Sequence, residues 1–155
     1  MVEIYNMAGH LVRRLNQISV AVFADRMAAE GVELTPVQFA ALSAIDARPG
    51  IAQAALAGAI AYDQTTLGGV IDRLEQKGFV ARQVSSRDRR ARVLTVTLAG
   101  RDLLARVRPV VRDLQGDILS GLDEDEKAQL LALLKKTTDA GNDKSRAPLT
   151  PRGGI

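Results

Sequence analysis

Across its 155 residues the chain has no cysteine and a single histidine. Without thiols there are no disulfides, no cysteine-based zinc site and no thiol redox sensing. One imidazole is too few for a dedicated metal site, so no cofactor is expected. No stretch approaches the roughly 20 apolar residues that a membrane span requires. The first residues also lack the charged segment followed by an apolar core that marks a secretory leader. A cytoplasmic location without a membrane partner is the resulting expectation. Catalytic constellations are missing too: no nucleophile stands beside a base, no carboxylates pair toward one cleft, and there is no phosphate loop. These absences weigh against an enzyme acting on a small carboxylated metabolite.

What is present describes one ordinary folded domain with a single core, at 46% hydrophobic and 25% charged residues. The net charge is only +3, but the basic excess is local. Residues 73–101 hold Arg73, Lys77, Arg82, Arg87, Arg89, Arg90, Arg92 and Arg101 against Asp72, Glu75 and Asp88 at their edge and within. Charge gathered on one segment is the footprint of a polyanion site, the plainer alternative being a solvated basic face.

The same segment has a definite layout. A helix signal runs from Gln64 to about Lys77, followed by Phe79 to Val84, the loop Ser85 to Ala91 and the β-prone run Arg92 to Thr97. A helix leading into an arginine-tipped hairpin is the arrangement of a winged helix-turn-helix, whose helix enters a major groove while its loop reaches a phosphate or a minor groove.

The remaining elements read as helices. Ile4, Ala8, Leu11, Leu15, Ile18 and Val22 predict a first helix over about residues 4–30, stopped at Gly31, with a seam suited to packing on another helix. Thr35, Pro36 and Gln38 form a start signal with a capping box for a second helix ending before Pro49. Ile51 to Ile60 reads as a short alanine-rich helix, and Tyr62-Asp63 as the turn and cap before Gln64. Ala99 to Leu119 predicts a long helix with a kink at Pro109. Asp123 with Glu126 predicts the cap of a last helix through Leu134. The fold class is thus mainly α with a small β-wing: a lobe over about 35–98, with helices over about 4–30 and 99–140 forming a dimerisation region. Packing of those end helices within one chain is the alternative. From Gly141 to residue 155 the polar composition predicts a disordered tail.

In the helix starting at Gln64, the first turn carries Gln64, Thr65 and Thr66 toward the bases. Gln can pair with adenine, and a Thr methyl packs on thymine. Gly68 and Gly69 each cost about 1 kcal/mol relative to Ala inside a helix, and their missing side chains would let the helix approach DNA or a neighbouring helix closely. Asp72 and Arg73 read as a surface pair directing Arg73 to a phosphate, or as a purely structural pair.

Several of these residues together resemble the multiple-antibiotic-resistance regulator (MarR) family over nearly all of Met7 to Thr138. The resemblance rests on Gln53-x-x-Leu56-Ala57, on Val70-Ile71-Asp72-Arg73-Leu74-Glu75-x-x-Gly78-Phe79-Val80-x-Arg82, and on Asp88-Arg89-Arg90 followed by Leu94-Thr95-Val96-Thr97 and Gly100. It implies a triangular homodimer that binds a near-palindromic operator in double-stranded DNA, usually as a repressor released by a small molecule. It places Arg90 in the minor groove, has Asp88 holding the wing arginines by ion pairing, and counts Gln53, Arg87 and Arg89 among the DNA-facing residues. Gly69 departs from the family pattern, where many relatives carry a basic or polar side chain, and weight shifts to Gln64, Thr65 and the wing.

The lack of cysteine excludes the family's peroxide-sensing branch, so any signal must be read by pocket polarity. Met7, His10, Arg14 and Gln17 form a stripe beside the apolar seam, with Arg13 one position away. Gly9-His10-Leu11-Val12-Arg13-Arg14 resembles the same segment in family members that control breakdown of aromatic acids. An arginine fork suits a carboxylate and His10 suits a ring hydroxyl or nitrogen, with Gln38 and Phe39 closing the site. The effector class is a small aromatic or heteroaromatic carboxylate, such as a hydroxybenzoate or hydroxynicotinate, and the regulated genes a catabolic or efflux operon. The alternatives are that His10, Arg13 and Arg14 serve the dimer interface, and that the chain is a helical dimer acting through proteins with DNA binding lost.

Overall fold

Local side-chain chemistry starts most of the helices. In the computed structural model, which describes residues 2–151, the elements are α1 (Ala8–Ala29), α2 (Pro36–Ala47), β1 (Ile51–Ala52), α3 (Gln53–Ala59), α4 (Gln64–Gln76), β2 (Val80–Val84), β3 (Arg92–Val96), α5 (Leu98–Ile118) and α6 (Glu124–Ala140). Thr35 and Gln38 close a reciprocal capping box at α2, the Gln38 amide donating to Thr35 Oγ1 at 3.2 Å and the Thr35 amide to Gln38 Oε1 at 3.1 Å. Asp123 and Glu126 do the same at α6, where the Glu126 amide holds the Asp123 carboxyl below its ordinary pKa. Each box satisfies two amide groups that a helix end leaves unpaired.

The first element differs from its sequence reading. Glu3–Asn6 form a short 3-10 turn and Met7 is extended, so α1 begins only at Ala8 and Ile4 lies outside it. No side-chain cap bridges that break. Gly31 ends the segment with φ +68°, a left-handed conformation that a side chain disfavours.

β1 is a second difference. Ile51 and Ala52 read as helical because alanines follow, yet they pair antiparallel with Leu94 and Val93. The wing is therefore a three-stranded sheet, in the order β1-β3-β2, and not a bare hairpin. Burial of Ile51 and Leu94 in the common core outweighs a short helical preference.

The core is formed by Leu42 and Ile45 of α2, Leu56 of α3, Leu67, Ile71 and Leu74 of α4, Leu94 of β3, and Leu104, Val107 and Leu114 of α5, all buried. α5 runs unbroken through Pro109. It is tied to α1 by Arg26, which reaches Asp113 and Asp117 at 2.7 Å each, and to α2 by Arg108 on Asp46 at 2.8 Å. Asp113 and then Asp117 raise the Arg26 pKa.

The turn between α3 and α4 pivots on Ala61, at φ 52°, just before Tyr62 and Asp63. The tail expected to be disordered from Gly141 instead carries a 3-10 turn at Asn142–Lys144 and lies against α3 through Thr150, whose amide donates to Gly58 O at 2.7 Å. Residues 152–155 of that expectation lie outside the described residues. Among the described residues no helix is long and apolar enough to cross a membrane, and no group of His, Asp and Glu side chains could hold a metal ion.

Candidate nucleic-acid interface and effector cleft

α4 is capped by Asp63, whose Oδ2 accepts from the Thr66 amide at 3.0 Å and from the Thr66 hydroxyl at 2.8 Å. The cap spends the proton of Thr66, leaving chiefly its methyl as a contact surface. Gln64 and Thr65 are exposed, and among the described residues their side chains have no hydrogen-bond partner. Leu67, Ile71 and Leu74 bury the opposite face of α4 in the core, so the first turn is presented outward by packing behind it.

The two glycines of α4 face different ways. A Cβ at Gly68 would lie 3.9 Å from Gln53 Nε2, an ordinary contact with α3, whereas one at Gly69 would meet nothing within 4 Å. Gly69 thus thins the exposed side of the helix without any packing need within the chain.

Arg82 on β2 organises the floor of this surface; the sequence reading placed it in the basic segment and in the family motif but gave it no role of its own. Its guanidinium donates to Asp72, to Glu75 Oε1 at 3.1 Å and to Gln53 Oε1 at 3.2 Å. Hydrogen bonds from Asp72 and then Glu75 raise its pKa. Asp72 therefore pairs with Arg82 and not with Arg73: one step along a helix turns the side chain by about 100°, and β2 lies on the Asp72 side. Arg73 is left exposed and without an ion pair among the described residues. Gln53 is drawn inward as a brace between α3, α4 and β2. Arg82 stood in the basic segment, but only the meeting of β2 with α4 distinguishes it from its neighbours.

The wing tip holds its shape through backbone contacts. Ser85 Oγ accepts from the amides of Arg87 and Asp88 at 3.2 and 3.3 Å. Asp88 Oδ1 accepts from the Arg90 amide at 2.9 Å, and the Ala91 amide donates to Asp88 O at 3.0 Å. This corrects the role expected of Asp88, which shapes the turn as an Asx motif and pairs with no wing arginine. Arg87, Arg89 and Arg90 are exposed and, among the described residues, free of ion pairs. Arg90 and Arg92 from the wing, with Gln53, Gln64 and Arg82, line an open cleft of about 330 Å³ between wing and α4. Its guanidinium and amide groups suit a phosphate.

A second cleft, of about 580 Å³, opens at the start of α1 and is lined by Tyr5, His10, Arg13 and Arg14. Arg13 Nη2 lies 3.3 Å from His10 Nδ1, and the Tyr5 ring stands 5.9 Å from the imidazole. The break at Met7 lets Tyr5 fold back over His10, which a continuous helix would not allow, and this is why Tyr5 was not foreseen. Gln17 is exposed farther along α1, outside the cleft. Gln38 and Phe39 do not close it. Gln38 is 7% exposed and held in its capping box, and Phe39 packs on Phe23 at 6.3 Å. Phe23 follows His10 by 13 positions, about 20 Å along a helix, so α2 sits at the wrong end of α1.

Comparison with known proteins agrees with this fold. Residues 34–91 match the MarR family profile. The transcriptional repressor NicR of Pseudomonas putida is 30% identical over 138 residues, covering 89% of this chain and 86% of NicR. BpsR of Bordetella bronchiseptica, whose structure concerns regulation of DNA binding by 6-hydroxynicotinic acid, superposes with a TM-score of 0.82 at 30% identity over 90% of this chain and 98% of BpsR. The repressor CouR, bound to a 23-mer DNA duplex, gives 0.80 at 31% identity over 89% and 96%. With about 30% identity and a shared fold over most of both chains in these matches, the chain belongs to the MarR family of DNA-binding transcriptional regulators.

Proposed function

We propose that the chain acts as a homodimeric repressor that a small aromatic or heteroaromatic carboxylate releases from its operator. The cleft of Tyr5, His10, Arg13 and Arg14 carries this reading. Two guanidinium groups suit a carboxylate, the Tyr5 ring suits stacking, and His10 suits a ring hydroxyl or nitrogen. NicR is named as a repressor and BpsR responds to 6-hydroxynicotinic acid, which supports the same chemistry here.

Dimerisation is supported by apolar surface left uncovered on the end helices: Val12 is 58%, Leu131 58% and Leu133 61% exposed. Single exposed leucines are ordinary, but a run along α1 and α6 is an interface awaiting a second copy. The dimer sets two α4 helices on one face of the duplex. Gln64 and Thr65 then read base edges, while Arg73, Arg87, Arg89 and Arg90 neutralise phosphates or enter the minor groove. Protein–protein action without DNA is disfavoured by wing arginines that no carboxylate among the described residues neutralises.

Release follows if the effector prefers a dimer whose lobes are misplaced for the groove. A 100-fold preference opposes DNA binding by about 2.7 kcal/mol. Calorimetry with hydroxybenzoates and hydroxynicotinates should detect binding, and His10→Ala and Arg14→Ala should weaken it at least tenfold while operator affinity is kept. Unchanged effector affinity in both variants would put the site elsewhere, and silence across the panel would remove the effector class.

A further inference from the structure

The C-terminal segment that composition assigns to disorder is anchored beside the first turn of α4, and its anchoring is specific. Asn142 brackets the backbone of Leu149, donating from Nδ2 to Leu149 O at 3.0 Å and accepting the Leu149 amide on Oδ1 at 2.8 Å. Ser145 Oγ accepts the Ala147 amide at 3.1 Å. Beyond this loop, the Thr150 amide donates to Gly58 O at 2.7 Å, and Arg48 Nη1 to Pro151 O at 3.1 Å. The missing side chain of Gly58 makes the seat: a Cβ there would lie 1.8 Å from Thr150 Oγ1 and 3.2 Å from Thr150 Cβ.

This strap places Arg146 on the same open cleft as Asp63, Gln64 and Thr65, with a volume of about 460 Å³. Arg146 is exposed and has no ion pair among the described residues. Asp63, the only carboxylate lining that cleft among the described residues, is engaged by the amide and hydroxyl of Thr66. A guanidinium is thus held at the flank of the helix that enters the groove, where the sugar-phosphate backbone must pass.

We propose that the strap of residues 142–151 is a third DNA-contacting element, beside α4 and the wing, in which Arg146 binds a backbone phosphate. The inference rests on the DNA-binding reading of α4. It adds affinity and salt dependence without sequence choice, because phosphates carry no base information. One phosphate contact steepens the salt dependence by about 0.9 in log–log slope, so two per dimer are worth about a 12-fold change in affinity between roughly 50 and 200 mM salt.

The test uses the full chain and a duplex selected by the wild-type protein from a random-sequence pool, with binding followed by fluorescence anisotropy across that salt range. Arg146→Ala should weaken binding at low salt and flatten the slope by about 1.8, with the selected base preferences unchanged. Arg146→Lys should keep most of the slope. Gly58→Leu, which fills the seat of Thr150, should flatten the slope to the same extent, and adding Arg146→Ala to it should change nothing further. An unchanged slope in Arg146→Ala overturns the proposal whether or not Gly58→Leu folds, as does tighter DNA binding by Gly58→Leu, which would mean that the strap covers the DNA surface. A wild-type protein that selects no duplex would remove the DNA-binding reading itself, a result distinct from a duplex-binding protein indifferent to Arg146.

Discussion

Arg82→Ala removes a side chain that joins α3, α4 and β2 beneath the reading surface. The lost interactions are two ion pairs with carboxylates that are 56% and 42% exposed, Asp72 and Glu75, and one hydrogen bond to Gln53. Partly exposed pairs contribute about 0.2–1 kcal/mol each after solvent screening, and the bond to Gln53 about 0.5–1.5 kcal/mol. The sum is about 1–3.5 kcal/mol, and for a chain of this length each 1 kcal/mol lowers Tm by about 2–4 °C. Thermal unfolding followed by circular dichroism should therefore show a fall of about 4–8 °C for a mid-range loss of about 2 kcal/mol. DNA affinity should fall as well, because the variant changes the local charge of the Arg82, Asp72 and Glu75 group from −1 to about −2 beside the duplex and frees Gln53. A double-mutant cycle with Asp72→Ala separates packing from pairing. Coupling of at least about 0.5 kcal/mol is expected for groups in direct contact. Strict additivity of the two substitutions, or an Arg82→Ala protein with wild-type Tm, would refute the view that this network fixes α4 against the wing.

The remaining predictions concern how the surface reads DNA. Arg90→Ala should weaken binding across all sequences and reduce the salt slope, whereas Gln64→Ala should relax preference at one or two base pairs by roughly 1–3 kcal/mol; selection from a randomised duplex pool at two salt concentrations distinguishes them, and exchanged behaviour would reverse the assigned roles. Gly69→Ala should raise stability by about 1 kcal/mol, since the added methyl meets nothing within 4 Å. If operator affinity falls at the same time, the thin face of α4 lies against the duplex, and if affinity is unchanged, it does not.

Much of the fold was legible because it is decided within three or four residues. Thr35 with Gln38, Asp63 with Thr66, and Asp123 with Glu126 start their helices through contacts inside one turn, so the residue types alone disclose them. The wing was legible from a β-prone run on either side of a turn-rich, arginine-rich loop. The exposed arginines at the wing tip were equally visible, because their exposure needs no distant partner.

Tertiary structure alone decided the rest, wherever the partner is remote in sequence. Ile51 became a strand because Leu94 offered it a ladder position in the core, and no window around an alanine-rich segment contains that information. Asp72 chose Arg82 over its neighbour Arg73 once β2 came alongside α4. Phe39 went to Phe23 and Gln38 to its own helix cap, leaving the α1 cleft to Tyr5, His10, Arg13 and Arg14. The polar tail gained order from a seat at Gly58, more than eighty residues earlier in the chain. Local hydrogen bonds are a property of the sequence; burial and ion pairing belong to the space in which distant segments meet.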